Sequence, residues 1–210
     1  QLSEARLQTL RMQINPHFLF NTLHTISTYL GRDPKGARRM IARLSDLLRY
    51  TLEKAGTQEV TLRQELNFLD GYLEIQSIRF QDNLVVQQDV DPDMLEALVP
   101  NLILQPLVEN AIKHGVSAVE GVGKVSIKAW RDNEQLCLSV WDNGPGMIGG
   151  NGVSASPTGL GLRNTRERLE SLYGPGHHFE LAGGAEGGVT ALICIPYHTS
   201  ADLYTASVTV

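Results

Sequence analysis

QLCLSVWDNGPG, at residues 135–146, combines an alternating strand pattern with a glycine-rich turn that begins at an acidic residue. Apolar and polar residues alternate up to Trp141, which is typical of a strand with one buried face. Asp142 follows directly, and the run from Asn143 to Gly146 predicts a tight turn. A carboxylate in this position can accept hydrogen bonds from the amino group of a ligand. Taken alone, however, the stretch is explained more simply as an ordinary hairpin exit.

The segments around this stretch predict strands and helices in mixed order. Residues 124–130 alternate in the same way and form a hairpin with residues 135–141 across the turn at 131–134. Further strands are predicted at 84–90, 179–182 and 189–195. Helices are predicted at 61–80, at 94–114 with a break near Pro100 left open, and at 160–173. This order favours an α+β fold, in which helices cover one face of a mostly antiparallel sheet.

Upstream, the stretch QINPHFLFN at residues 13–21 lies in a helical pattern that runs from residue 3 to residue 30, with Pro16 interrupting it. A turn and a second amphipathic helix at 36–54 follow, and together they predict an antiparallel helical hairpin. One hairpin cannot cover all of its apolar surface. We therefore expect a homodimer in which two hairpins form a four-helix bundle.

His17 lies on the same predicted helix face as Asn21 and His24. From this stretch alone, a hydrogen-bonded core histidine is the simplest interpretation. A metal site built on His17 and His24 is improbable, because no further ligands lie nearby in the sequence.

Composition restricts the class of protein. The chain has 210 residues, 42% of them hydrophobic and 20% charged, and a formal net charge of -5. These values are typical of a globular protein with one or two domains and argue against direct nucleic-acid binding through a basic surface. Cys137 and Cys194 lie in separate apolar runs, so we expect two buried thiols in a reducing compartment and no disulfide or metal pair. The sequence shows no membrane-spanning run, and its start at Gln1 suggests a piece of a longer protein.

Two other stretches carry polar chemistry. LVENAIKHG, at 107–115, places Asn110, Lys113 and His114 on one helix face, and an asparagine oxygen is a suitable ligand for Mg²⁺. TGLGL, at 158–162, opens a predicted helix, where glycines allow a phosphate to approach free backbone N–H groups. Each motif alone is weak, since an ordinary turn or helix surface explains it.

The order of the three motifs is more specific than any one of them. An asparagine-bearing helix, then D-x-G-x-G after a strand, then G-x-G at a helix start resembles the N, G1 and G2 boxes of the GHKL ATPase superfamily over about residues 60–196. The N-terminal NPHFLFN, at 15–21, resembles the phospho-acceptor motif of LytS-like sensor histidine kinases. The helix TLRQELNFLDGYLEIQSIRF, at 61–80, is also similar to that class.

The resemblance implies a GHKL (Bergerat) α/β sandwich after the hairpin, with ATP and Mg²⁺ as cofactors. Residues 1–57 would be the dimerisation and phosphotransfer hairpin, 58–198 the catalytic domain, and 199–210 a tail. His17 would accept the γ-phosphoryl group, Asn110 would hold Mg²⁺ and Asp142 would bind the adenine amino group. The remaining nucleotide-binding positions implied by the resemblance are Lys113, His114, Gly144, Gly146, Gly159, Leu160, Gly161, Leu162 and Thr190, and Asn21 and Glu109 would assist catalysis.

By the same resemblance, His17 would pass its phosphoryl group to an aspartate of a response regulator, of the DNA-binding LytTR type. The parent protein would be membrane-anchored, and this chain would be the cytoplasmic domain of a bacterial inner-membrane sensor. Two departures stand out: Phe18 follows His17 where many histidine kinases have an acidic residue, and Pro106 replaces the catalytic glutamate of the hydrolytic superfamily members. The alternative is a nucleotide-gated binding module or a response-regulator phosphatase without kinase activity.

Overall fold

The computed structural model describes residues 16–81, 83–146, 160–184 and 187–201, with Pro16, His17 and Leu160 described by their backbone alone. The chain forms two compact units. The first comprises Gln1–Gln58 and Leu66–Asp82, and the second comprises Glu59–Glu65 and Asn83–Val210. The helix that follows residue 61 thus belongs mostly to the first unit, whereas the sequence analysis assigned all of it to the catalytic domain.

The first unit contains the expected helical hairpin, formed by helices α1 (Pro16–Tyr29) and α2 (Pro34–Glu53). The Asp33 carboxylate caps α2 by accepting a hydrogen bond from the Gly36 N–H at 3.0 Å, and Pro34 occupies the first turn. Both features are typical of a helix start. The part of the predicted first helix before Pro16 lies outside the described residues.

A third helix, α3 (Leu62–Phe80), packs on this hairpin from Leu66 onwards. The rings of Phe18 and Tyr72 are 4.8 Å apart between centroids, and those of Tyr50 and Phe68 are 5.1 Å apart. The Tyr29 hydroxyl also donates to the Ile78 carbonyl at 2.7 Å. Part of the apolar hairpin surface, which the sequence analysis left to a second copy, is therefore covered by the chain itself.

Other apolar side chains of the hairpin stay exposed. Phe20 is 70% exposed, and the other members of this set are 46–55% exposed: Leu23, Leu30, Ile41 and Leu52. We call these five residues the exposed hairpin set. Phe20 and Leu23 are three residues apart on α1, so they share a helix face, and Leu30 follows directly after the helix.

The second unit is built on a five-stranded sheet of strands β2 (Leu84–Val90), β4 (Gly123–Asp132), β5 (Gln135–Asp142), β7 (Val189–Pro196) and β6 (His178–Gly183), in that spatial order. The sheet is mostly antiparallel, as the sequence predicted, and only the β2–β4 pair in it is parallel. A separate two-stranded sheet pairs β1 (Glu59–Thr61) with β3 (Leu98–Pro100). Among the described residues of this unit, the α-helices α4 (Leu104–Asn110) and α5 (Leu160–Tyr173) accompany the sheets.

The prediction of a long helical run over residues 94–114 is wrong for its first half, and the interruption that was left open near Pro100 is present. The segment contains strand β3, then a left-handed residue, Leu102 (φ 59°), and only then the short helix α4. Apolar residues in this region are buried on several sides, so their spacing resembles that of a helix without being one. A widened helical turn, Ala111–Gly115, continues from α4.

The interpretation of the two cysteines as separate thiols is also wrong. Cys137 on β5 and Cys194 on β7 are directly opposite in the antiparallel register, and their sulfur atoms form a disulfide bond. The two apolar runs give no indication of this, because the pairing depends on the register between strands that are 57 residues apart. Among the described helices, none combines the length and the apolar character that crossing a membrane requires.

The disulfide provides a stability test. It closes a long loop, and we expect its loss to lower the free energy of unfolding by about 2–4 kcal/mol. The protein refolded with reductant should therefore have a lower denaturation midpoint than the oxidised protein. The Cys137→Ala/Cys194→Ala double variant should be insensitive to reductant, and an equally insensitive wild type would contradict the assignment.

Candidate functional site

The end of strand β5 is closely surrounded by backbone of other segments. Asp142 is buried, and its Oδ1 accepts a hydrogen bond from the Gly144 N–H at 2.8 Å. A Cβ atom on Gly115 would lie 2.2 Å from Asp142 Oδ1, and one on Gly144 would lie 2.3 Å from the Gly115 Cα. Both distances are shorter than real contacts allow. Glycine is therefore required at both positions, and the Asp142 carboxylate is enclosed by backbone.

Burial raises the pKa of Asp142 above its ordinary value, because the carboxylate loses hydration. Backbone hydrogen bonds from Gly144 and Val189 and the charge of His114 act in the opposite direction. A buried acceptor of this kind is costly to maintain. Groups with such costs are often found at binding sites, where a ligand donor satisfies them.

The residues just before strand β7 also lie against Asp142. The Gly188 N–H donates to the Gly144 carbonyl at 2.7 Å, and Gly188 (φ 80°) has no room for a Cβ, which would lie 2.2 Å from the Asp142 carbonyl oxygen. Gly146 (φ 81°) lies against Gly188 and the preceding residue, Gly187. Thr190 is half-buried opposite Trp141, next to the β5 end. We call Gly115, Gly144, Gly146, Gly187 and Gly188 the glycine cradle.

Helix α4 leads into the cradle. Asn110 is its last residue, and the widened turn Ala111–Gly115 carries the chain on to Gly115 beside Asp142. Asn110 is half-buried, and Lys113 and His114 are exposed. Widened turns of this type are frequent at functional sites. The turn also alters the regular spacing that the sequence analysis assumed for Lys113 and His114.

Glu109, beside Asn110, accepts a hydrogen bond from the Gln105 amide at 2.8 Å.

The first residues of helix α5 lie beside α4. A Cβ on Gly161 would lie 3.7 Å from the Pro106 Cβ, Leu162 is buried, and the Thr165 hydroxyl donates to the Gly161 carbonyl at 3.0 Å. Leu160 begins the helix, as predicted, while Gly159 lies outside the described residues. The second unit thus contains the Asn110 helix, the Asp142 strand and the Gly161 helix start.

His17 and Asn21 belong to the other unit. The His17 backbone lies in the first turn of α1, and Asn21 is half-buried, with its carbonyl accepting a hydrogen bond from the Thr25 hydroxyl at 2.8 Å.

Sequence reasoning missed some residues around the site. Gly115 was quoted only as the end of a motif, although a Cβ there would lie closer to Asp142 Oδ1, at 2.2 Å, than one on Gly144, at 2.7 Å. Gly187 and Gly188 preceded Thr190 in the sequence without being assigned a role. Their left-handed φ angles, 95° and 80°, become meaningful only once β5 and β7 pair.

Comparison with known proteins agrees with this geometry. Residues 5–84 match the family described as histidine kinase, and residues 97–199 match the family described as histidine kinase-, DNA gyrase B- and HSP90-like ATPase. Among solved structures, the catalytic domain of the histidine kinase ThkA aligns with a TM-score of 0.52 at 22% identity, over 68% of this chain and 97% of that one. The second unit therefore has the fold of a GHKL-type, ATP-binding domain.

Curated relatives narrow the class. The chain is 37% identical to the sensor protein LytS of Staphylococcus haemolyticus, over 94% of this chain and 35% of the relative. It is 36% identical to the sensor histidine kinase YpdA of Escherichia coli, over 84% of this chain and 32% of the relative. This chain thus spans about a third of the length of these relatives. It belongs to the histidine kinase family, and the relatives it matches there are LytS-like sensor proteins.

The glycine cradle can be tested by adding one carbon atom. Gly144→Ala places a Cβ against the Gly115 backbone, which cannot rotate away, so we expect the free energy of unfolding to fall by about 1–3 kcal/mol and ATP binding to weaken. Gly31→Ala is the matched control, because a Cβ at Gly31 has no neighbour within 4 Å. Denaturation and calorimetry should separate the two variants, and equal stability would show that the cradle is less tight than described.

Proposed function

We propose that this chain is the kinase core of a sensor histidine kinase, which uses ATP to phosphorylate itself on His17 and then passes the phosphoryl group to an aspartate of a response regulator. The observation that carries the proposal is the buried Asp142 carboxylate inside the glycine cradle, at the end of a strand in an ATP-binding fold. The family membership agrees with it.

Asp142 would bind the adenine end of ATP. A carboxylate that is buried and accepts only part of its possible hydrogen bonds from the backbone is suited to accept another from the adenine amino group. Gly144 and Gly146 would let their backbone approach the ring closely. Thr190, on the neighbouring strand, would reach adenine through a water molecule.

Asn110 and the start of α5 would bind the phosphate end. The amide oxygen of Asn110 is half-buried and is a suitable ligand for a hard cation. When bound there, Mg²⁺ would neutralise charge on the phosphates during transfer. Backbone N–H groups from Gly159 to Leu162 would hold the phosphates at the positive end of the helix dipole. Lys113 and His114 are exposed close to Asn110 in the chain, and their side chains would attract the phosphates.

His17 would act as the nucleophile. A neutral ring nitrogen attacks the γ-phosphorus, an N–P bond forms, the bond to the ADP oxygen breaks, and the ring proton passes to a base or water. Glu109 would orient His17 or water, and Asn21, one turn after His17, would orient the imidazole. Pro106 stands where the hydrolytic superfamily members carry their water-activating glutamate, which favours transfer to histidine over hydrolysis.

The wider setting is also proposed. The names of the relatives identify them as sensor proteins, and the chain matches about a third of their length. We infer that the parent protein is anchored in the inner membrane, with this chain on the cytoplasmic side, and that the regulator is of the LytTR type. We also infer that the exposed hairpin set pairs with a second copy to form a homodimer.

The experiment that tests the function uses two histidines of one helix. His17→Gln should take up no phosphate from γ-labelled ATP with Mg²⁺, while still binding ATP. His24→Gln is the matched control, because His24 is exposed on the same helix and should label normally. The label should be lost in acid and survive base. A labelled His17→Gln protein with that chemistry would place the acceptor elsewhere.

Asp142→Asn should separate binding from stability. The substitution replaces an acceptor with a group that can present an N–H to the adenine amino group, at a cost of roughly 1.5–3 kcal/mol, so ATP affinity should drop about tenfold or more. The raised pKa of Asp142 means that its ionisation destabilises the folded state as pH rises through that pKa. Removing the charge should therefore leave the free energy of unfolding at neutral pH equal or higher. Unchanged ATP affinity by calorimetry would exclude the adenine role.

The exposed hairpin set predicts the assembly state. Introducing charge with Phe20→Glu should dissociate the homodimer, because the residue is 70% exposed in one copy and would be buried in two. Val85→Glu is the control, since Val85 is exposed on the second unit instead. Sedimentation should report dimer for wild type and control, and monomer for Phe20→Glu. A wild type that stays monomeric at high concentration would refute this pairing.

A further inference from the structure

We propose that Glu65 and Arg168 are positioning residues that fix the spacing between Asn110 and the Gly161 end of helix α5, without touching the nucleotide. The inference rests on the proposed function, because it takes these two places as the phosphate end of the ATP site. The sequence analysis assigned neither residue a role, although Glu65 lies in the quoted stretch at residues 61–80. Their hydrogen bonds to the loop at residues 101–104 would hold this loop in one conformation, and we call this set of bonds the bracket.

Glu65 holds one side of this loop. Its side chain is buried, and its two carboxylate oxygens accept hydrogen bonds from the N–H groups of Leu102 and Leu104, each at 2.8 Å. Helix α4 begins at Leu104, and the residue before it, Ile103, provides no side-chain cap. Glu65, which lies 39 residues earlier in the chain, therefore serves as the cap of the helix that ends in Asn110.

The backbone conformation there needs such support. Leu102 adopts a left-handed φ of 59°, which is unfavourable for a residue with a branched side chain. A conformation of this kind persists only where the surroundings hold it. The bond from Leu102 N–H to Glu65 supplies one such restraint, so it also fixes the direction in which α4 leaves the loop.

Arg168 holds the other side. Its Nη1 donates a hydrogen bond to the carbonyl of Asn101, the residue before Leu102. The positive charge of Arg168 also stabilises the ionised form of Glu65 and opposes the burial that raises the pKa of Glu65 to about 7. The loop is thus held through its N–H groups by a carboxylate on α3 and through a carbonyl by a guanidinium on α5.

The spacing along α5 links this bracket to the phosphate end. Gly161 and Arg168 are seven residues apart, so they lie on the same helix face about 10 Å from one another. Gly161 is close to Pro106 of α4, and Arg168 contacts the loop that precedes α4. The closeness of Gly161 to Pro106 and the hydrogen bond of Arg168 to Asn101 therefore set the position of α5 relative to α4. Asn110 lies six residues after Leu104, whose N–H is capped by Glu65.

The charged character of the bracket favours a positioning role. Burying ionised groups costs so much desolvation that such pairs contribute little net stability compared with apolar packing. Their hydrogen bonds are directional, however, and so they define one geometry of the loop. The negative charge of Glu59 also interacts electrostatically with Arg168. Glu59 in turn accepts a hydrogen bond from the Tyr173 hydroxyl at the end of α5.

The test compares the two ends of the nucleotide site. Glu65→Gln removes the charge with little change in shape, and Arg168→Lys keeps the charge but loses the guanidinium geometry. Each variant is titrated with Mg²⁺-ATP by calorimetry and with adenosine by NMR chemical shifts. The control is Arg63→Gln with Glu96→Gln, which removes an exposed ion pair from the same turn of α3 as Glu65.

We expect Mg²⁺-ATP affinity to fall about 10- to 100-fold in Glu65→Gln and in Arg168→Lys, as for residues that support metal ligands, while adenosine affinity changes by no more than about twofold. The control should change neither. Parallel losses for both ligands would show a merely structural role, and unchanged Mg²⁺-ATP affinity would also overturn the proposal. If Glu65→Gln does not fold, Arg168→Lys decides by the same titrations. Failure of the wild type to bind Mg²⁺-ATP would instead refute the proposed function.

Discussion

The packing of one carboxylate against backbone determines the site in this protein. Asp142 reaches the end of β5 with no space for side chains at Gly115, Gly144 or Gly188. The widened turn after α4, the turn after β5 and the start of β7 must therefore meet at one point. Their convergence gives the buried acceptor its shape, and burial also raises its pKa. The loss of hydration of the Asp142 carboxylate is energetically unfavourable, and a hydrogen-bond donor from a ligand would offset it.

The two compact units carry different parts of the proposed chemistry. His17 lies on a helix of the first unit, with exposed apolar side chains such as Phe20 nearby on the same helix. The described nucleotide-binding candidates belong to the second unit. Helix α3 belongs to both, because its first turn contributes Glu65 to the second unit while the remainder packs on the hairpin. Within the second unit, Glu65 accepts the hydrogen bond from the Leu104 N–H at the start of α4.

Local patterns predicted what depends on local structure. Alternation along residues 124–141 predicted the central hairpin, and the turn after Trp141 indicated Asp142, because strand periodicity and turn chemistry act over a few residues. The helix at 160–173 was predicted with its observed bounds. Long-range register was not accessible in this way, and so the Cys137–Cys194 bond was missed. Glu65 was missed for the same reason, since its partners at Leu102 and Leu104 lie 37 and 39 residues away. The segment 94–114 was misread because many of its apolar residues are buried without forming one helix, so their spacing imitates that of a helix.

A crystal structure of this chain with Mg²⁺ and a non-hydrolysable ATP analogue tests the central claim most directly. We expect the adenine amino group within hydrogen-bond distance of the Asp142 carboxylate, the cation on the Asn110 amide oxygen, and the phosphates at the backbone N–H groups that begin α5. A nucleotide bound elsewhere, with the Asp142 carboxylate still enclosed by the glycine cradle and contacting no ligand, would contradict it.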